Sequence, residues 1–167
     1  MNQHICEKLQ IVPAIMPVAL GTGANNGDWV SMKNYRRCAI VFLAGVGAAS
    51  QDPTITVLQS TSVTGSPSKA LNFTRIDVKQ ASALTAVGTF TTVSQAAGNT
   101  YTSDTAGECQ KLWVIDIKAE DLDVDNGYDC IQASVGDTGT ATQIGTAIYL
   151  LHEPAYQSGT LPSAIID

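Results

Sequence analysis

Hydrophobic and polar positions alternate along most of this chain with a period of two, and almost nowhere with the 3.6-residue period of a helix. Residues 53–61, PTITVLQST, set Ile55 and Val57 on one side and Thr54 and Thr56 on the other. Residues 70–78, ALNFTRIDV, alternate as well, and 88–95, GTFTTVSQ, read as a Thr-rich strand between glycine-bounded loops. In 111–119, KLWVIDIKA, Trp113, Ile115 and Ile117 share one face while Asp116 and Lys118 share the other. Residues 128–136 and 140–153 complete the set. Residues 35–47, YRRCAIVFLAGVG, form an unbroken apolar run, the pattern of a strand buried on both faces. Short strands with turn signals between them predict an all-β fold: an antiparallel β-sandwich, or a jelly-roll-like single domain.

The two ends read differently. Residues 9–20, LQIVPAIMPVAL, are apolar, but Pro13 and Pro17 cannot donate to a ladder, which marks an extended arm or an edge strand. A loop, GTGANNG, follows at 21–27, and the tail PAYQSGTLPSAIID reads as a second extended arm. The chain therefore divides into an N-terminal arm and loop (1–27), a sandwich domain (28–153) and a C-terminal arm (154–167). Pro-bearing apolar arms of this kind are expected to order only on a partner. Residues 95–107 form a polar stretch long enough to be a mobile or partner-contacting loop.

Composition sharpens this picture. A chain of 167 residues is most simply one domain. Charged residues make up only 14%, against roughly 25% in ordinary soluble domains. Thr, Ser, Gln, Asn and Gly must therefore carry much of the surface, which suits a protein packed against others. The net charge of −6, with Arg36-Arg37 as the one basic cluster, argues against nucleic-acid binding and against an anionic membrane surface. No apolar run approaches the roughly 20 residues of a membrane span. The N-terminal stretch also lacks the basic region of a signal peptide. Cys6, Cys38, Cys109 and Cys130 show no CxxC spacing, so free buried thiols are expected, with a Cys109–Cys130 bridge as the alternative.

The densest candidate chemistry is AEDLDVDNGYDC, residues 119–130. Read as a calcium loop from Asp121, it places aspartates at the first, third and fifth positions. Asn126 then stands where the turn glycine belongs, and Gln132 where the bidentate glutamate belongs. Read as a glycosidase pair, its carboxylates crowd one turn instead of facing each other across a cleft. The better reading is a helical turn followed by a tight Asn-Gly turn into the next strand. The stretch GTGANNG lacks the third glycine and the following helix of a dinucleotide loop. His4 and His152, the only histidines, have no sequence-adjacent ligand partners, and no nucleophile elbow is present. No catalytic residue, cofactor or metal ligand is assigned, and the chain is not expected to be an enzyme. Arg36 and Arg37 sit at the mouth of the apolar strand. One is expected to pair with an acidic neighbour, the other to reach across a subunit contact.

The stretches NGDWVSMKNYRRCAIVFLAGVGA (26–48), DPTITVLQSTSVTG, LWVIDIKAEDLDVDNGYDCIQASVGD (112–137), AIYLLHEPAY (147–156) and the ending TLPSAIID carry a resemblance. In this order, they resemble small virion structural proteins of tailed bacteriophages. The resemblance implies a sandwich on the capsid exterior, made in the host cytoplasm, acting as a head decoration or cement protein. Its partners would be the major capsid protein and further copies of itself, as a homotrimer. Another virion position, a tail, head-fibre or head–tail component binding a host surface or another virion protein, is the alternative. The residues expected to contact partners are Ile11, Ile15, Met16, Val18, Arg36, Arg37, Tyr156, Leu161 and Ile165.

Overall fold

The computed structural model describes residues 4–139, 143–156 and 161–166. Strands appear where the period-two pattern places them, and the remaining regular structure is single 3-10 turns. The strands are β1 (Gln10–Ala19), β2 (Asn25–Asn26), β3 (Val30–Ser31), β4 (Tyr35–Ala44), β5 (Thr54–Ser60) and β6 (Ser68–Ala70). They continue with β7 (Phe73–Ala81), β8 (Thr91–Gly98), β9 (Thr100–Thr102), β10 (Gln110–Lys118), β11 (Cys130–Val135) and β12 (Ile144–Pro154).

Two antiparallel sheets pack face to face as a β-sandwich. The larger has the order β1-β12-β4-β10-β7-β8. The smaller runs β2-β11-β5-β6, with β3 also paired to β11 and β9 to β5. The core lies between them and is built from one side of each strand: Ile40 and Phe42 of β4, Trp113 and Ile115 of β10, Ile55 and Val57 of β5, Ile131 of β11. Trp113 is its largest member. Its ring lies 5.3 Å from Phe42 and 4.8 Å from Tyr101, the latter edge-on. Its indole N–H donates to Gln80 Oε1 at 3.3 Å, so this buried donor is satisfied.

Four sequence expectations meet the structure differently. Residues 9–20 take the edge-strand reading: β1 pairs with β12 from Gln10 through Ala19, and Val12, Ala14 and Ile15 are buried. The irregular register around Pro13 and Ile15 accommodates the prolines at the sheet edge, where a missing N–H costs least. Residues 35–47 are not buried on both faces. Cys38, Ile40, Phe42 and Ala44 point into the core, while Ala39 and Val41 are half-buried and Leu43 is exposed on the outside. Residues 95–107 are not a free loop, because β8 continues to Gly98 and β9 follows at Thr100. The C-terminal tail is docked at 162–164: the Ser31 amide donates to the Ala164 carbonyl at 2.6 Å, Tyr35 Oη donates to the Pro162 carbonyl, and Ala164 is buried.

Candidate docking surfaces

Strand register builds the first surface. On the outside of the six-stranded sheet, Ile11 lies beside Leu150 and Leu150 beside Ala39. One row along, Pro13, Ile148, Val41 and Val114 stand in line across four strands. The next row is Thr146, Leu43 and Leu112. Their inward neighbours fill the core, so the period-two rule forces these side chains outward. None of the described elements covers them, and Ile11 and Leu43 are both 45% exposed. A soluble sheet face normally turns polar on its outer side; across β1, β12, β4 and β10 this one does not.

Charged and polar groups bound the face at one end, around Arg37 and Asp116, and along its β7–β8 side, where Asp77 stands opposite Val114. Arg37 reaches Asp116 through both its Nε and Nη2 groups, across the β4–β10 pair. Hydrogen bonding to Asp116 holds the Arg37 guanidinium pKa above its usual range. Arg75 donates to Asp77 at 3.0 Å, and the Thr92 hydroxyl donates to the same carboxylate at 2.6 Å. Those bonds, Thr92 first and Arg75 second, hold Asp77 below the usual carboxylate range. Lys118 pairs with Glu120 at 3.1 Å. His152 lies 3.9 Å from Asp116 and 3.8 Å from Glu153, a half-exposed histidine among carboxylates.

The second surface lies where β4 begins. A cavity of about 260 Å³ opens there. Its apolar lining comes from Met32, Tyr35, Ala119, Val124 and Ala155, with Lys33, Arg36 and Asp129 also lining it. The acidic stretch thus supplies one wall. Its carboxylates have local duties. Asp121 accepts the Lys118 amide at 3.0 Å, closing the 3-10 turn at Ala119–Asp121. Asp123 pairs with Lys69 and accepts Asn126 Nδ2 at 2.8 Å, and both contacts hold its carboxyl below the usual range. Asp129 accepts the Cys130 thiol at 3.2 Å. Gly127, at φ +77°, makes the turn into β11. Among the described residues, no group of three or more His, Cys, Asp or Glu converges as a metal site would require.

The residues singled out from the sequence scatter over these surfaces. Ile11 lies on the outer face and Arg37 among the charged groups at its end. Ile15 is buried in the core, and Val18 packs against it. Met16 is exposed on the edge strand. Arg36 lines the end cavity. Leu161 is half-buried, and Tyr156 and Ile165 are exposed beside docked residues of the tail. The outer-face residues Val41, Leu43, Ile148 and Val114 were not singled out. A continuous apolar run reads equally as a strand covered twice and as a strand left uncovered on one side. No disulfide joins the four cysteines: Cys38 and Cys130 are buried, Cys109 is half-buried and Cys6 is exposed.

Comparison with family models and with curated proteins finds no match to this chain.

Proposed function

We propose that this chain is a non-catalytic shell-binding protein: a decoration, or cement, protein on the capsid exterior of a tailed phage, with the major capsid protein as its partner. The observation that carries this reading is the uncovered apolar face of the six-stranded sheet. The whole outer face, six strands about 4.8 Å apart and some nine residues long, presents roughly 800–900 Å², of which the apolar rows, on four strands, take about half. One side of a standard protein interface buries about 800 Å². An apolar centre with a charged rim is also the composition of such an interface. The resemblance of the sequence to virion proteins supplies the kind of partner. A protein that binds the assembled lattice and not its free subunits stabilises the lattice by mass action.

Immunogold labelling of intact particles of the phage that encodes the chain tests the reading. Regular label over the head supports it. Label confined to the tail or to one vertex favours the tail or fibre role instead, and unlabelled particles overturn both. Leu43→Asp, on the exposed side of β4, is expected to leave the fold intact and to abolish rebinding to stripped heads.

A further inference from the structure

Each sheet ends in two edge strands, and three of the four are blunted. β1 carries Pro13 and Pro17 and two shifts of register. The small sheet ends in β2 and β6, of two and three residues, too short to template a partner strand. β8, at the far edge of the six-stranded sheet, has no proline and no charge. It lies within residues 80–103, the longest uncharged stretch of the chain. One side of β8 pairs with β7; on its other side no backbone hydrogen bond among the described residues reaches it. Thr91, Thr92, Ser94, Ala96 and Ala97 are exposed. Every second residue of an edge strand turns its N–H and C=O outward, so β8 is an open ladder.

The occupant this edge fits is a second copy of itself. An antiparallel pair about a two-fold axis makes one patch its own complement. A chain of net charge −6 repels its copy least where it is uncharged. The nearest charges, Arg75 and Asp77 on β7, already pair with each other. Apolar surface would be covered as well. Val93 packs against the core but stays half-buried at the sheet edge, and Phe90, just before β8, is 47% exposed.

We propose that two copies join β8 to β8, antiparallel, so that their six-stranded sheets run on as one. The β7–β8 register shifts beyond Ser94, which confines the straight ladder to residues 91–94. An axis at Val93 sets Val93 against its own copy and Thr92 against Ser94, and each Phe90 then faces the 95–97 bend of the other chain. The assembly is a two-fold dimer, where the resemblance of the sequence implies a trimer. It leaves the apolar outer face uncovered and is independent of what that face binds.

Sedimentation velocity of the full chain over a range of concentrations tests this. The wild type is expected to dimerise as concentration rises. Across the axis, Ser94 stands diagonally from its own copy, about 7–8 Å away. Ser94→Lys and Ser94→Glu, each alone, set like charges there. Each is expected to weaken dimerisation about fivefold, with thermal unfolding unchanged. An equimolar mixture of the two is expected to recover it. Leu43→Asp, on the outer face, is expected to leave dimerisation unchanged. A wild type that stays monomeric, or forms trimers, overturns the proposal. So do Ser94 variants that dimerise normally, a mixture that fails to recover, or a dimer lost in Leu43→Asp, which would put the contact on the apolar face.

Discussion

The phenol oxygen of Tyr149, on β12, accepts the backbone amide of Ala133, on β11, at 2.8 Å, joining the two sheets through the core. The same hydroxyl donates to the Asp28 carbonyl at 2.9 Å. Tyr149 and Ala133 are fully buried, and burial raises the phenol pKa. Tyr149→Phe leaves the Ala133 amide without this partner and without water. The expected cost is about 1–3 kcal/mol. Equilibrium urea unfolding measures it, and a change indistinguishable from zero would mean the bond contributes nothing.

Gly27 shares that junction. Its amide donates to the Ala133 carbonyl at 2.9 Å, and a Cβ built on it would stand 2.5 Å from the same carbonyl oxygen. Since backbone can yield only by moving a strand, Gly27→Ala is expected to destabilise by about 1–3 kcal/mol. Gly23, with open space around its Cβ position but φ +141°, offers a contrast of pure backbone strain. A lower melting temperature for Gly27→Ala, with β-sheet circular dichroism retained, is the expected result.

Lys111 is wholly buried, its Nζ donating to the Gly45 carbonyl at 2.9 Å. Burial pushes its pKa down to about 8, against roughly 10.4 in an unfolded chain. Between those values the unfolded chain holds a proton that the folded chain has released. Stability from this group therefore rises with pH through that window, and the full penalty applies below it. Lys111→Met leaves Gln143 Nε2 on the same carbonyl at 2.8 Å. The variant is expected to be more stable at pH 7 by about 1–3 kcal/mol. Paired unfolding curves at pH 7 and pH 9.5 should show the advantage shrinking as pH rises; a constant gap would refute the assignment.

The two adjacent arginines should separate in stability assays. Arg37→Ala breaks a half-exposed pair with Asp116 and should cost under about 1 kcal/mol. Arg36→Ala should leave unfolding unchanged, because its side chain bonds to none of the described residues. An Arg36→Ala protein that unfolds earlier than Arg37→Ala would reverse this ranking.

Thiol accessibility gives an independent check of the core. Cys38 is buried in β4, and its thiol pKa is pushed up chiefly by desolvation, with Asp116 adding to it. Native protein treated with a maleimide should be labelled at Cys6 and more slowly at Cys109. Cys38 and Cys130 should react only in denaturant. Rapid native labelling of Cys38 would contradict the sandwich.

Much of this molecule was legible along the chain. Alternation set which side of each strand is apolar, and Trp113, Ile115 and Ile117 all point inward as the pattern of 111–119 requires. The turn at Asn126-Gly127 was readable because only a residue tolerant of positive φ suits it. The proline pair already marked 9–20 as arm or edge strand, and pairing with β12 decided for the edge.

What the chain could not carry is which strands become neighbours, because pairing joins residues far apart in sequence. Val41 meets Ile148 on one side and Val114 on the other; periodicity within β4 reports neither. Whether an apolar outer side is covered therefore depends on elements from elsewhere in the chain, and here none of the described ones arrives. For the same reason the sequence could say that one of Arg36 and Arg37 would find an acid, but only the β4–β10 register, which brings Asp116 beside Ala39 and within reach of Arg37, decided which.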